Sequence, residues 1–558
     1  MSHKARNNSI PVGCAAHPHP PTDSRGLSRR RFLAGCAACA GAAGIASSPK
    51  WLNGFQAGIG PGDAGALGAS RGVLRKGPRI RIVYALHGPV QEVPDWPNKG
   101  FDFRPVMDKI NAELGNCFPG YTFVPTLATG EEQAKKILEG DAADAAGAAS
   151  ASEPIDGYLV YQMNCWNRVA QTMVPSGKPV LYADFPYAGS GGFLVYTAGF
   201  LRAAAPNFGF VSSSRMDDLA AAVKCFEDAK SAGASFDFAA ATALARKACT
   251  PRPGDVAGKN DPLQTLSADE TIRRMKASKI LAVRGPDAQP AVTVMSIPVV
   301  YLPFVELNDA WAAADKAEAK AVSDRWMKNA ALVEGVSRAE VENSAAMYLG
   351  QKAVLKKHGA NAITINCLGG FYGGHIHAYP CLGFMELLNE GLVGACECDV
   401  PSTATMVAMT AMSQGRPGYI SDPVIDTAKR QIIYAHCVAS NRAFGPKGPA
   451  NAYQILTHSE DRQGASVRSI LPAGYLTTTV EISDPRKEII VHQGLAVDND
   501  PNDRACRTKL CAEPVGDIEK LFTMWDKWGW HRVTFYGNLK KPVVELAGAM
   551  GWTVVEEA

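Results

Sequence analysis

The sequence predicts an α/β protein, with Rossmann-like parallel-sheet domains followed by a β-rich C-terminal domain. Three observations carry this. From residue 79 short apolar runs alternate with amphipathic stretches, the same alternation resumes near residue 279, and after about residue 450 the segments become alternating and Thr/Val-rich. Strands that alternate with helices imply parallel βαβ units, whereas period-two alternation implies an antiparallel sheet or small barrel.

The first α/β domain is expected at 79–230. Its strands read as Arg79–Leu86, Tyr121–Pro125, Gly157–Gln162, Pro179–Phe185 and Phe208–Val211, and its helices as Pro105–Leu114, Glu131–Leu138 and Met216–Lys230. Crevices in such sheets open at the carboxyl ends of the strands. The Gly189-Ser190-Gly191-Gly192 loop follows one strand but lacks the dinucleotide fingerprint, so it reads as a turn. Asn164-Cys165-Trp166-Asn167 follows another and is a candidate pocket lining, with Trp166 equally suited to the core.

Residues 231–266 are turn-rich and read as a connection to a second α/β domain at 267–445. There the strands are Lys279–Val283, Ile297–Phe304, Ala362–Cys367 and Val393–Glu397, with a helix at Leu382–Asn389. Ser337-Arg338-Ala339-Glu340 is a capping box opening a long helix that Gly359 ends. The β-rich domain, 446–558, contains Tyr475–Ile482, Glu488–His492, a last helix Asp517–Trp525 and the strand Arg532–Tyr536.

Of the 558 residues, 46% are hydrophobic and 20% charged, too apolar and too evenly mixed for a disordered chain. No uninterrupted apolar run reaches the ~18–20 residues a membrane-spanning helix needs. The net charge of +3 comes from the first 46 residues, which carry six cations against one anion and leave about −2 for the remainder. With no basic stripe to release counterions, nucleic acid is not an expected partner.

Ser28-Arg29-Arg30-Arg31-Phe32-Leu33, an uncharged Ala/Gly-rich stretch and the small residues Gly44-Ile45-Ala46-Ser47 form the pattern of a twin-arginine export signal. Residues 1–46 are therefore read as a signal peptide and 47–78 as a linker, with the mature chain exported to the periplasm or another extracytoplasmic space. Three of the 14 cysteines lie in that leader. The remaining 11 cannot all pair and read mostly as small buried hydrophobes, with Cys506 and Cys511 open as a pair.

The densest polar constellation lies in the second half. Glu397, in Cys396-Glu397-Cys398-Asp399-Val400, directly follows a strand-like run. Asp422, in Tyr419-Ile420-Ser421-Asp422-Pro423, reads as another strand end, and His436 closes Ile432-Ile433-Tyr434-Ala435-His436. Carboxylates set in apolar strands are costly to ionise unless paired or bound to a cation. Carboxylate and imidazole ligands suit a hard-to-borderline divalent ion such as Mn²⁺. His375-Ile376-His377, after Gly373-Gly374, is the competing motif, because histidines at i and i+2 on a strand point the same way, as zinc hydrolases use them.

The segment Pro380-Cys381-Leu382-Gly383-Phe384 through Ala395-Cys396-Glu397-Cys398-Asp399-Val400, then Ser421-Asp422-Pro423 and Ala435-His436-Cys437, resembles the C-terminal half of the L-fucose/L-arabinose isomerase-like superfamily. Gly529-Trp530-His531-Arg532-Val533 running into Leu546-Ala547-Gly548-Ala549-Met550-Gly551-Trp552 is similar to that family's closing histidine motif, final helix and strand. The resemblance implies that Glu397, Asp422 and His531 hold the metal, that His436 is the further histidine ligand of arabinose-type members, and that Glu397 and Asp422 shuttle the proton of an aldose–ketose interconversion. It also implies a sugar substrate and a homo-oligomer, a trimer or hexamer. An exported carbohydrate-binding protein without catalysis, or a zinc hydrolase centred on His375 and His377, are the other readings of the same sequence.

Overall fold

The structure, a computed structural model, describes residues 76–145 and 153–558 apart from Pro286, Ala288 and Pro290. The expected signal peptide at 1–46 lies outside the described residues. The first sheet contains β1 (Arg79–Ala85), β2 (Thr122–Ala128), β3 (Gly157–Gln162), β4 (Val180–Asp184) and β5 (Phe208–Val211), all parallel, in the order β2-β1-β3-β4-β5. Every position of β3, β4 and β5 is buried, which is why they read as continuous apolar runs: helices or other strands cover both faces. The order reverses between β1 and β3, and loops leaving the carboxyl ends there border a crevice.

The Gly189–Gly192 run opens the helix Ser190–Ala203. A Cβ at Gly191 would strike the Cys165 sulfur at 2.8 Å and the Trp530 ring at 2.9 Å, so this glycine permits close packing. The expected helix Met216–Lys230 is two helices, Met216–Val223 and Cys225–Ala232. The expected connection also contains a helix, Phe238–Cys249, whose N-cap Asp237 accepts a hydrogen bond from the Ala240 amide.

The second sheet has β6 (Ile280–Val283), β7 (Val292–Val294), β8 (Ile297–Leu302), β10 (Ala362–Ile365) and β11 (Val393–Cys396), in the order β11-β10-β6-β8-β7 and parallel except for the β7–β8 hairpin. The helix Arg338–His358 has both arms of the Ser337/Glu340 capping box and ends at Gly359, φ +57°. A small sheet joins β9 (Leu332–Glu334) to β14 (Tyr453–Leu456) and β15 (Ser466–Ser469).

The β-rich part is a closed ring. Strands β12 (Tyr419–Asp426), β13 (Gln431–His436), β16 (Leu476–Ser483), β17 (Glu488–Asn499), β18 (Thr508–Pro514) and β19 (Arg532–Tyr536) pair antiparallel as β16-β19-β12-β13-β18-β17, and β17 returns to β16. Closure leaves no free edge within the ring. β20 (Thr553–Glu556) adds to β17 in parallel. The ring begins at Tyr419 rather than after residue 450, because β12 is buried at every position and so does not alternate in sequence. The expected last helix is a 3₁₀ turn, Ile518–Phe522.

The barrel packs on both parallel sheets: Ile420, Val424 and Val533 join the core of the second, while Tyr419, Ile425 and Tyr434 join one face of the first. Among the described residues no helix is long and apolar enough to cross a membrane. The eleven cysteines among the described residues are free thiols. Cys506 lies against Cys437 rather than pairing with Cys511.

A fully buried ion pair ties the barrel to the chain's last strand. Arg532 donates to Glu557 through Nη2 at 2.8 Å and lies 4.0 Å over the Trp525 ring, while Glu557 also contacts His492 Nδ1 at 2.8 Å. Burial opposes ionisation of Glu557, but the Arg532 and His492 charges hold its carboxyl down to about 2. Removing one partner leaves the other charge buried and alone. Glu557→Ala is expected to cost about 3–5 kcal/mol in equilibrium denaturation; a loss below ~1 kcal/mol would contradict the pairing.

Candidate metal centre

Four side chains from four strand ends or interiors meet at the seam between the second sheet and the barrel. Glu397 leaves the carboxyl end of β11, with Glu397 at φ +63° and Cys398 at φ +54°. Two consecutive left-handed non-glycine residues are strained by ~1–3 kcal/mol each, and such strain persists only where the surroundings impose it. The Cys398 amide donates to the Ile365 carbonyl at 3.0 Å, and Asp399 then caps the helix Val400–Met412 by accepting from the Ser402 amide at 3.0 Å.

The barrel supplies the other three from adjacent strands. Asp422 lies inside β12 rather than at its end, opposite Ala435 of β13, while Ser421 lies opposite Arg532 of β19. His436 and His531, each next to one of those partners in the chain, therefore flank Asp422 at one level of the barrel. One donor atom each from Glu397, Asp422, His436 and His531 falls within 4.8 Å of all the others. His531 Nε2 is 3.2 Å from Asp422 Oδ1 and 3.5 Å from Glu397 Oε2. His436 Nε2 is 3.4 Å from Glu397 Oε1 and 3.7 Å from Asp422 Oδ2.

These groups surround one point without satisfying one another. Asp422 Oδ1, both ring nitrogens of His436 and His531 Nε2 are buried and make no hydrogen bond. A cluster of orphaned buried donor atoms of carboxylate and imidazole type fits a divalent cation, which would accept all four lone pairs at once. His531 is further held from behind: its Nδ1 is 2.8 Å from Asp399 Oδ2, the arrangement that fixes a ligating imidazole with Nε2 forward. Asp399 thus caps a helix with one oxygen and aims His531 with the other. Its signal was the N-cap pattern Asp399-Val400-Pro401-Ser402, beginning two residues after Glu397, which sequence reasoning passed over.

The electrostatics show mutual dependence. Burial opposes ionisation of Glu397, yet the imidazoles of His436 and His531 hold its carboxyl well below the ordinary carboxylate range. Burial likewise disfavours imidazolium, but Asp399, Asp422 and Glu397 raise His531 well above its ordinary value, and Glu397 and Asp422 raise His436. Without a cation, imidazolium protons balance the carboxylates. Stability from His531 and His436 is present below their unfolded value of ~6.5 and is lost as pH rises through the raised folded values. Stability from Glu397 is present above its unfolded value of ~4.3 and is lost as pH falls through the depressed one.

His375 and His377 stand apart from this group. They lie in a loop after the helix Cys367–Tyr372, not on a strand, so the expected common direction does not arise. The His375 ring stacks on Phe304 at 5.6 Å with planes 4° apart, and His377 lies 5.8 Å from Trp311. Among the described residues no third ligand joins them, which removes the geometric basis of the zinc-hydrolase reading. Asn164 serves the architecture: its Nδ2 donates to Gln91 Oε1 at 3.0 Å and to the Trp96 carbonyl at 2.9 Å, anchoring the loop after β1. Trp166, at φ +61°, packs edge-on against Trp530.

Over 261 residues the chain is 24% identical to a sulfoquinovose isomerase of Alkalicoccus urumqiensis, covering 45% of this chain and 57% of that protein. It is 25% identical over 200 residues to sulfoquinovose isomerases of Priestia aryabhattai and Priestia megaterium, covering 34% of this chain and 44% of each. The chain thus matches about half the length of these curated relatives. No family model matches it. A solute-binding protein of an ABC transporter from Burkholderia multivorans is 11% identical with a TM-score of 0.16, covering 61% of this chain and 96% of that one, too low a score to carry an argument.

Metal ligands must be deprotonated, so cation uptake should expel the imidazolium protons. Calorimetric titration with Mn²⁺ at pH 7, in buffers of differing protonation enthalpy, is expected to show release of on the order of one to two protons per chain. Binding heats independent of the buffer would contradict the charge balance described.

Proposed function

We propose that this chain is a metal-dependent sugar isomerase that interconverts an aldose and a ketose. The single observation that carries the reading is the convergence of Glu397, Asp422, His436 and His531. Similarity to sulfoquinovose isomerases supports the reaction class, and makes sulfoquinovose a sugar to test beside L-fucose and L-arabinose.

Aldose–ketose interconversion moves a proton between adjacent carbons, and its main cost is the negative charge that develops on the sugar oxygens. A bound divalent ion, Mn²⁺ in this reading, supplies Lewis-acid stabilisation of that charge. Glu397, Asp422, His436 and His531 would hold it. Of the two carboxylates, Glu397 is the more open, with a quarter of its side chain accessible, whereas Asp422 is buried. Glu397 is thereby assigned as the base that reaches the carbon-bound proton, and Asp422 as its partner on the barrel side, a division typically worth ~10²–10⁴-fold in rate. His531, with Nδ1 tied to Asp399, presents a fixed neutral Nε2 once the cluster has lost its protons.

The assembly is proposed to be a trimer or hexamer, and the mature chain to be exported by the twin-arginine route, as the leader composition indicates. Glu397→Gln keeps the shape of the side chain and removes its charge. With Mn²⁺ and a panel of aldoses including the three sugars named, the wild-type chain is expected to form the ketose and Glu397→Gln to lose at least ~10²-fold in turnover. Wild-type-like turnover in that variant would refute the assignment. Sugar binding that persists in chelator, with no product formed, would point instead to a carbohydrate-binding protein.

A further inference from the structure

Asp399 aims His531, and behind Asp399 lie two more side chains that the proposed chemistry has not used. Ser402, in the first turn of the helix Val400–Met412, gives its amide to Asp399 Oδ1 at 3.0 Å, and its hydroxyl lies 3.0 Å from Asp399 Oδ2. The same hydroxyl lies 3.0 Å from Oε2 of Glu481, a buried residue of β16. Helix and strand are tied a second time, where the Ile482 amide donates to Thr405 Oγ1 at 3.1 Å. A continuous line of contacts thus runs Glu481, Ser402, Asp399, His531, and the Nε2 of its last member is 3.2 Å from Asp422 Oδ1.

The donors along this line fix where a proton sits. A serine hydroxyl has one hydrogen, and an ionised carboxylate only accepts. Ser402 can therefore serve one of the two carboxyls, and the other must be protonated and donate to the Ser402 oxygen. Asp399 already accepts the Ser402 amide on one oxygen and faces His531 Nδ1 at 2.8 Å with the other, the surroundings of a carboxylate. Glu481 has no such donors: its Oε1 is buried without a hydrogen-bond partner, and Arg532, the cation whose charge reaches it, is paired with Glu557 at 2.8 Å. A charge buried in that way is far costlier than a neutral acid. Burial, followed by the Asp399 charge, raises the Glu481 carboxyl well above the ordinary carboxylate range, against the weaker pulls of Arg532, Ser402 and His531.

We propose that Glu481 is a neutral, protonated acid and a positioning residue of the metal centre: its hydroxyl donates to Ser402 Oγ, Ser402 donates to Asp399 Oδ2, and Asp399 so held keeps the Nδ1–H of His531 and turns its Nε2 lone pair forward. This rests on the metal reading of the four ligands and is independent of which sugar the chain converts. Every hydrogen bond of the relay points the same way, from β16 through the start of the helix to the one carboxylate oxygen that also receives His531. Two donors on Asp399 Oδ2 fix its direction, and removing one leaves His531 alone to hold it. Outer partners of a ligating histidine typically control metal affinity by 10–100-fold. Glu481 acts through two intervening side chains, so the low end of that range is expected, and it touches neither the ion nor the substrate.

The test has a spectroscopic arm and a binding arm, both on the full chain. In infrared spectra of the metal-free protein at pH 7, the difference between wild type and Glu481→Gln is expected to contain the carbonyl band of a protonated carboxyl. The Gln amide can donate to Ser402 Oγ as the acid does, so Mn²⁺ affinity by calorimetric titration is expected to stay within about threefold of wild type in Glu481→Gln and to fall ~10-fold in Glu481→Leu and in Ser402→Ala. Ser402→Ala keeps its amide bond to Asp399, so it reports on the relay even if Glu481→Leu does not fold. Absence of the band, wild-type affinity in Ser402→Ala, or an equal loss in Glu481→Gln and Glu481→Leu would overturn the role while leaving the metal centre standing. A wild-type chain that takes up no Mn²⁺ removes the metal centre and this positioning role with it.

Discussion

Two acidic side chains, Glu397 and Asp422, are drawn together in a poorly solvated seam, and the rest of the site answers the question of what neutralises them. Two imidazoles do so in the chain alone, through raised protonation of His436 and His531. The same imidazoles, deprotonated, are the ligands a divalent ion would need. One set of four residues could thus be charge-balanced in two ways, by protons or by a bound cation, and uptake of a cation would then depend on pH.

The fold exists around that seam. β12 is paired on both sides, to β13 and β19, so Asp422 sits at the centre of three hydrogen-bonded strands with His436 and His531 on its neighbours. Glu397 arrives from a different sheet, across the strained turn after β11. Strain at Glu397 and Cys398 is sustained by the Cys398–Ile365 backbone bond and by the helix cap at Asp399, and Asp399 also orients His531. A single aspartate therefore couples the start of a helix to the aim of a ligand from the barrel.

Much of the architecture was legible in the sequence because the parallel strands are covered on both faces and read as unbroken apolar runs; Gly157–Gln162 and Phe208–Val211 agree with the structure to the residue. The same signal concealed the start of the barrel. β12 is buried throughout, and an all-buried antiparallel strand looks like a parallel one. Glu397, Asp422 and His436 stood out because polar groups in apolar runs are costly; His531 was reached only through a resemblance, since a histidine among tryptophans has no such contrast. Asp399 was not found as an orienting group, because its bond to His531 joins the start of a helix to a barrel residue 132 positions on, which its local N-cap pattern does not announce. His375 and His377 misled for the opposite reason, a good local pattern on a segment that is not a strand.

The central claim is that one cation binds where these four side chains meet. Crystals of the chain soaked in Mn²⁺ and measured at the manganese absorption edge test it directly. The account predicts one anomalous peak per chain, in contact with Glu397, Asp422, His436 and His531, and its disappearance in His531→Ala. A peak at His375 and His377 instead, or none within reach of Glu397 and Asp422, would contradict it.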